Sequence, residues 1–381
     1  MAFISPFLIL LRLTVTYAFT PLTSPSISSI DSPGSEFDIK SGSILAPILQ
    51  PRVPGSIGSR LVQEHISSFF RDNLPDWTIE YQNSTARIPY LQNENVPFVN
   101  IIARRAPPWT TDGEVGYLTL VAHFDSKLQP MGFIGAIDSA APCAMLMHIA
   151  RTLDPALTKK WDTANKVGMK MDGYDGDIME EHKGIQIIFL DGEEAFGPWT
   201  KDDSIWGAKS LAATWEGTYN TALSTYRNRI DEIDIFVLLD LLGSKGPKVP
   251  SYYKTTHWAY KALHDLALKM DQGGKSETKN IGDWFPDHNK DEEVAWFGGG
   301  IGDDHLPFLE RGAEVLHVIP SPFPTDVWHR IEDDGEHLDM ETVRDWAVLM
   351  TGFAAEWLDL EGHMHDGAET KSKRGTSKSE L

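Results

Sequence analysis

Acidic and histidine side chains recur directly after short apolar runs in this chain. Leu120-Val121 leads into His123 and Asp125, Ile188-Phe189-Leu190 into Asp191, Glu193 and Glu194, and Leu238-Leu239 into Asp240. Asp138, within Gly135-Ala136-Ile137-Asp138-Ser139, and His329, within Val327-Trp328-His329, complete the set. A catalytic zinc ion takes three protein ligands of these types and keeps a fourth position for water or substrate. Taken singly, none of these residues is diagnostic. A histidine after a strand is more often a hydrogen-bonded core group, and an adjacent Glu pair is more often solvated surface. A carboxylate that ends a buried apolar strand, however, needs a partner for its charge.

The elements that would carry these residues alternate along the chain. A helical pattern begins near Ser59-Arg60-Leu61-Val62, and Val99 to Arg105 and Tyr117 to Phe124 read as strands. Ala144 to Leu153 follows as an amphipathic helix, then strands over Ile185 to Leu190 and Ile235 to Leu239. A helix around Trp258 to Met270, a strand over Val315 to Ile319 and a last helix from about Met340 to Leu358 end the series. Short apolar strands separated by helices imply an α/β fold: a single globular domain with a mixed, mostly parallel central sheet flanked by helices. Ligand sites of such folds lie at the carboxyl ends of the strands, where the polar residues gather here. The polar stretch from Trp161 to Lys183 reads as an irregular surface loop.

In its order of His-x-Asp, Asp, Asp-Gly-Glu-Glu, strand-terminal Asp and late His, the chain resembles zinc aminopeptidases with a co-catalytic metal pair. More specific segments narrow the resemblance. Val121-Ala122-His123-Phe124-Asp125-Ser126-Lys127, Ala136 to Met145 and Phe189-Leu190-Asp191-Gly192-Glu193-Glu194-Ala195-Phe196 closely resemble the glutaminyl cyclase family. So do Leu238 to Gly243, Asp303-Asp304-His305-Leu306-Pro307-Phe308-Leu309, and Ile319 to Pro324 leading to Trp328-His329. These segments, in the same order, cover roughly residues 60 to 360.

That resemblance implies a zinc aminopeptidase-like fold and cyclisation of N-terminal glutamine to pyroglutamate with release of ammonia. It makes Asp138, Glu194 and His329 the ligands of one Zn2+ per chain and Glu193 the general acid/base. Asp240 and Asp303 fall where the family has catalytic pocket acids, and Trp199, Ile301, Phe323 and Trp328 where it has substrate-binding wall residues. His317 matches a further histidine near the metal site and is grouped with the substrate-binding residues. Other readings stand beside these: Trp199 and Trp328 as packing aromatics, and Asp303-Asp304-His305 as the capped start of a helix with Pro307 in its first turn.

Two departures from the family pattern are visible. Ala122 occupies the place of a cysteine that pairs with the Cys143 position in animal secreted members, and Cys143 is the only cysteine, so no intramolecular disulfide forms. The segment Phe323 to His329 is one residue longer than the pattern. Spacing alone leaves one zinc or two open, because His123 and Asp240, the remaining ligands of a metal pair, are both present. A zinc aminopeptidase that hydrolyses the first peptide bond is therefore the main alternative, with a catalytically dead binding domain behind it.

Composition bounds the rest. The 381 residues are 41% hydrophobic and include 12 Trp, enough for one large core. A formal net charge of −21 excludes a general nucleic-acid binder, since no basic stripe precedes the tail. Residues 1–18 read as a signal peptide, 19–55 as a flexible Ser/Pro/Gly-rich lead-in, 56–365 as the catalytic domain and 366–381 as a disordered polar tail. The final Lys378-Ser379-Glu380-Leu381 resembles an endoplasmic-reticulum retrieval signal, and Asn83-Ser84-Thr85 is a glycosylation acceptor. The expectation is a monomeric secretory-pathway enzyme, secreted or lumenal, with no membrane anchor after signal cleavage. Its substrates are peptides and proteins that begin with Gln, or by extension Glu.

Overall fold

The computed structural model describes residues 20–166 and 182–364, apart from 292, 293, 295 and 297–299. The expected signal peptide and the tail with its Lys378-Ser379-Glu380-Leu381 end lie outside the described residues. After a short helix α1 (Ser24–Ser28) comes α2 (Ile57–Asn73), whose first turn is capped by Ser56 accepting from the Ser59 amide at 3.1 Å. Strands β1 (Thr78–Ile88) and β2 (Glu94–Arg105) form an antiparallel hairpin. There follow β3 (Val115–His123), α3 (Ala141–Lys166), β4 (His182–Leu190), α4 (Trp206–Gly217) and β5 (Ile233–Leu239). The chain continues through α5 (His257–Gln272), α6 (Leu306–Leu309), β6 (Val315–Val318) and α7 (Met340–Trp357).

The strands make one mixed sheet in the order β1-β2-β4-β3-β5-β6, with β3, β4, β5 and β6 parallel. Successive strand residues face opposite ways, so a strand covered on both faces must be apolar throughout. β5 shows this directly. Ile235, Val237 and Leu239 enter the core built by α2, α3, α5 and α7, whereas Phe236 and Leu238 enter the smaller core under α4 and α6. The parallel strands therefore point their carboxyl ends, and the residues that follow them, to one side of the molecule.

The structure differs from the sequence-based expectations in several places. β1 and α4 lack a clear periodic signal: β1 is a half-exposed edge strand of mostly polar residues, and α4 is a short run of small residues around Leu211 and Trp215. The expected loop from Trp161 to Lys183 is helical as far as Lys166 and in a strand from His182, with 167–181 outside the described residues. Asp303-Asp304-His305 does lead into a helix, α6, with Pro307 in its first turn, but the cap position is His305 and neither aspartate caps it.

The lead-in is the largest difference. Leu22, Ile27, Ile30, Phe37, Ile44, Leu45 and Ile48 are buried in the main core, and the Leu22 amide donates to Glu356 of α7 at 2.8 Å. Its Ser, Pro and Gly content forbids long regular elements, yet its spaced apolar residues each find a place against the helices. Among the described residues no helix is long and apolar enough to cross a membrane.

Packing of this segment has a measurable consequence. Phe37 is 0% exposed, so Phe37→Ala should cost about 3–5 kcal/mol in urea unfolding. A change within about 0.5 kcal/mol, ordinary for an exposed position, would mean the segment does not pack.

Candidate functional site

The residues singled out by their spacing meet beyond the ends of β3, β4 and β5. Asp138 is carried by a kinked turn, Ala136–Ala140, between β3 and α3, and has non-helical φ −120° and ψ 75°. That turn starts at Gly135 with φ 63°, where a Cβ would stand 2.1 Å from the Asp138 carbonyl oxygen, so only glycine fits. Glu193 and Glu194 follow β4 after Gly192, at φ 79°, whose missing side chain leaves room for the Phe98 ring. Asp125, a metal-ligand type by its place in the sequence, instead holds main chain. Its two oxygens accept the Glu193 amide at 3.0 Å and the Glu194 amide at 3.2 Å. His329 sits at φ 57°, uncommon for a residue with a side chain. Its loop is tied to the Asp138 turn by Asp333, which accepts the Ile137 amide on Oδ1 at 2.8 Å and the Ala136 amide on its carbonyl at 3.1 Å.

Asp138, Glu194 and His329 come together with ligand atoms all within 4.8 Å of one another. His329 Nε2 lies 3.5 Å from Asp138 Oδ2 and 3.6 Å from Glu194 Oε2. These separations are too long for good hydrogen bonds. They match the roughly 3.4 Å edge of a tetrahedron whose ligands stand about 2.1 Å from a central ion. Glu194 Oε1 is buried and has no hydrogen-bond partner, while Oε2 accepts from Lys127 Nζ at 2.9 Å. Two carboxylates and an imidazole balance a divalent cation, and the Glu194 oxygen that faces His329, Oε2, is the one that also meets Lys127. The residues present fit a metal ion. His329 is the most open of the three, at 27% side-chain exposure against 4% and 2%, so the approach to the site is on its side.

A second trio, His123, Asp138 and Asp240, also has its ligand atoms within 4.8 Å. Its members are already engaged with one another. His123 Nε2 donates to Asp138 Oδ1 at 3.0 Å, and Asp240 Oδ1 accepts the Ser139 hydroxyl and the Leu241 amide. Burial of His123 disfavours its charge, but the carboxylates of Asp125, Asp138 and Asp240 around it outweigh burial and raise its pKa well above the usual imidazole range. The same burial acts against ionised Asp138, where His123 prevails and holds the carboxyl below its usual range.

Glu193 is buried beside this group. Burial, with repulsion from Glu194 and Asp303, pushes its carboxyl well above the usual range against the pull of His123. Asp303 Oδ1 accepts the Asp304 amide at 2.7 Å, and its Oδ2 pairs with His317 Nε2 at 2.7 Å. Burial depresses His317 to about 4 and, with repulsion from Asp240, raises the Asp303 carboxyl well above its usual range, so burial favours the neutral form of both partners. This corrects the grouping of His317 with the substrate-binding walls, because it is buried behind Asp303. Behind it again, His305 meets the Tyr253 hydroxyl at 2.7 Å.

The aromatic candidates are not core. Trp199 is 39% exposed and lies over Gly302, where a Cβ would stand 2.3 Å from its ring. Trp328 is half-buried and stacks on His329 with ring centres 4.2 Å apart, and Phe323 meets Trp328 edge-on at 4.8 Å. Ile301 is half-buried against the main core. The extra residue before His329 therefore leaves Phe323 and Trp328 in mutual contact.

Several site residues carry no recognisable signal in the sequence. Lys127 stands inside a family-like segment without an implied role, and Ser139 and Asp333 have no pattern of their own. Asp304 is fully buried with neither carboxyl oxygen hydrogen-bonded, and burial with repulsion from Asp303 raises its pKa well above the usual range.

Similarity to known proteins agrees with this geometry. The model of Peptidase family M28 matches residues 100–354. The glutaminyl-peptide cyclotransferase of Bos taurus is 33% identical over 320 residues, which are 83% of this chain and 81% of that protein. That of Boiga irregularis is 34% identical over 330 residues, 83% of this chain and 80% of that protein. The crystal structure of Macrostomum lignano glutaminyl cyclase matches with a TM-score of 0.72 at 27% identity, covering 91% of this chain and 96% of that one.

Cys143 is buried and bonds through its thiol to the His123 carbonyl at 3.1 Å, and burial pushes its pKa up to about 12. It should therefore resist alkylation by iodoacetamide until denaturant is added, with activity unchanged by mild reductant. Rapid labelling of the native protein would contradict the packing described.

Proposed function

The chain belongs to Peptidase family M28 and, within it, to the glutaminyl-peptide cyclotransferases, and from that premise we propose that it cyclises N-terminal glutamine to pyroglutamate using one zinc ion. The observation that carries the zinc reading is the spacing of His329 Nε2 from Asp138 Oδ2 and Glu194 Oε2. Zinc held by these three residues would supply Lewis-acid polarisation of the substrate amide oxygen.

The chain's own residues do the remaining work. In the reaction the substrate α-amine attacks its own side-chain amide carbon, a five-membered ring closes, the carbon–nitrogen bond to the amide nitrogen breaks, and ammonia leaves. No water is consumed. The nucleophile must lose a proton and the leaving group must gain one, so a single carboxylate serves both steps. Glu193 has this role: it neighbours the metal ligands without belonging to the trio, and its main chain is fixed by Asp125 and by the Ile205 amide at 2.8 Å. Asp303, hydrogen-bonded to His317, and Asp240, held by Ser139, are two buried pairs that sustain the proton balance around it. Trp199, Phe323 and Trp328, with Ile301, enclose the glutamine side chain and leave the rest of the peptide in solvent.

Entry into the secretory pathway belongs to the same proposal. It rests on the N-terminal apolar run and on Asn83, whose side chain is exposed on the edge strand β1 and open to glycosylation. Monomeric action on peptides beginning with Gln, and by extension Glu, completes it.

A zinc aminopeptidase is the second reading, and the proximity of His123 and Asp240 to Asp138 favours it. Incubation with a Gln-leading peptide separates the two by mass spectrometry and ammonia assay. Cyclisation yields ammonia and an intact chain, abolished by a chelator, whereas free amino acid would mean hydrolysis. Glu193→Gln should keep zinc while turnover falls by about 10²–10⁴. Near-normal turnover of that variant would remove Glu193 from the role of proton carrier.

A further inference from the structure

Arg52 lies in the segment whose composition suggests a flexible lead-in, yet it is 0% exposed. Its guanidinium donates to main-chain carbonyls: Nε to Phe124, Nη1 to Ile134 and to Gln50 at 3.4 Å, and Nη2 to Gly135 at 3.0 Å. Its own amide donates to the Ser126 hydroxyl at 2.9 Å. Among the described residues no carboxylate forms an ion pair with it. A buried cation bonded only to carbonyls is costly unless the surroundings are negative. Here Asp125 and Asp138 lie close enough to offset part of its charge through space.

All of the bonded carbonyls but that of Gln50 belong to the two loops that carry the chemistry. Phe124 stands between His123 and Asp125, and Asp125 in turn holds the amides of Glu193 and Glu194. Ile134 and Gly135 open the turn that bears Asp138, whose other side is tied to the His329 loop by Asp333. We propose that Arg52 is a positioning residue of the zinc site, its buried fork joining the Phe124 and Ile134-Gly135 main chains so that Asp138 faces Glu194 and His329. The inference rests on the reading of those three residues as zinc ligands. A planar guanidinium with donors in fixed directions suits this role, and a lysine ammonium, a point charge on a flexible stem, does not.

The test uses the full chain. Zinc affinity is measured without substrate, by competition with a chromophoric chelator, for wild type, Arg52→Lys and Ser126→Ala, and the absorption spectrum of the cobalt-loaded proteins is recorded. Arg52→Lys, folded by near-ultraviolet circular dichroism, should bind zinc about 10–100-fold more weakly and show an altered cobalt spectrum. Ser126→Ala should weaken binding about threefold. A role in stability alone would lower the thermal midpoint and leave affinity and spectrum of the folded variant unchanged, and that result overturns the proposal. If Arg52→Lys does not fold, Ser126→Ala decides, with unchanged zinc affinity as the overturning result. Wild type that binds zinc but releases no ammonia from a Gln-leading peptide would sink the cyclase reading and leave Arg52 in place. Wild type that binds no zinc overturns both.

Discussion

Carboxylates packed out of water repel one another, and each is costly to keep ionised in a medium that screens poorly. Asp125, Asp138, Asp191, Glu193, Glu194, Asp240, Asp303 and Asp304 are all buried in one region beyond the sheet. Every other feature of the site answers this concentration of negative charge. Asp125 accepts amide hydrogen bonds on both oxygens, from Glu193 and Glu194, and Asp191 accepts the Val99 amide on one oxygen at 2.9 Å. Others face cations: Lys127 at Glu194 and His123 at Asp138. The trio of Asp138, Glu194 and His329 marks where a metal cation would offset the remaining charge.

The sheet makes such a gathering feasible. Parallel strands deliver their following residues to the same side, and amides freed at strand ends are available to carboxylates. In an antiparallel meander, successive loops would alternate between the two ends, and Asp138, Glu194 and Asp240 would not meet. The cost of bringing like charges together is met elsewhere, by apolar packing on both faces of β3, β4 and β5.

The N-terminal segment adds a second support. Its apolar residues pack against the helices, and it ends by placing Arg52 beneath the loops of the site. Structural residues and site residues are thus parts of one arrangement, with the same buried guanidinium satisfying carbonyls and offsetting charge.

Much of this was legible in the residues alone. Continuous apolar runs such as Ile235 to Leu239 require a strand covered on both faces, and an acidic residue directly after such a run must find a partner, so the strand order along the chain and the cluster at their ends followed from local physics. The family resemblance supplied roles for Asp138, Glu194, His329 and Glu193 that spacing could not. Other features depended on tertiary structure. Asp125 and His317 are of types that ligate metals or line pockets, but neighbours far away in sequence made one a holder of amides and the other a buried partner of Asp303. Residues 20–55 look flexible by composition because Ser, Pro and Gly report only on local conformation. Whether Phe37, Leu45 and Arg52 are buried was decided by surfaces contributed by distant parts of the chain, which no local pattern encodes.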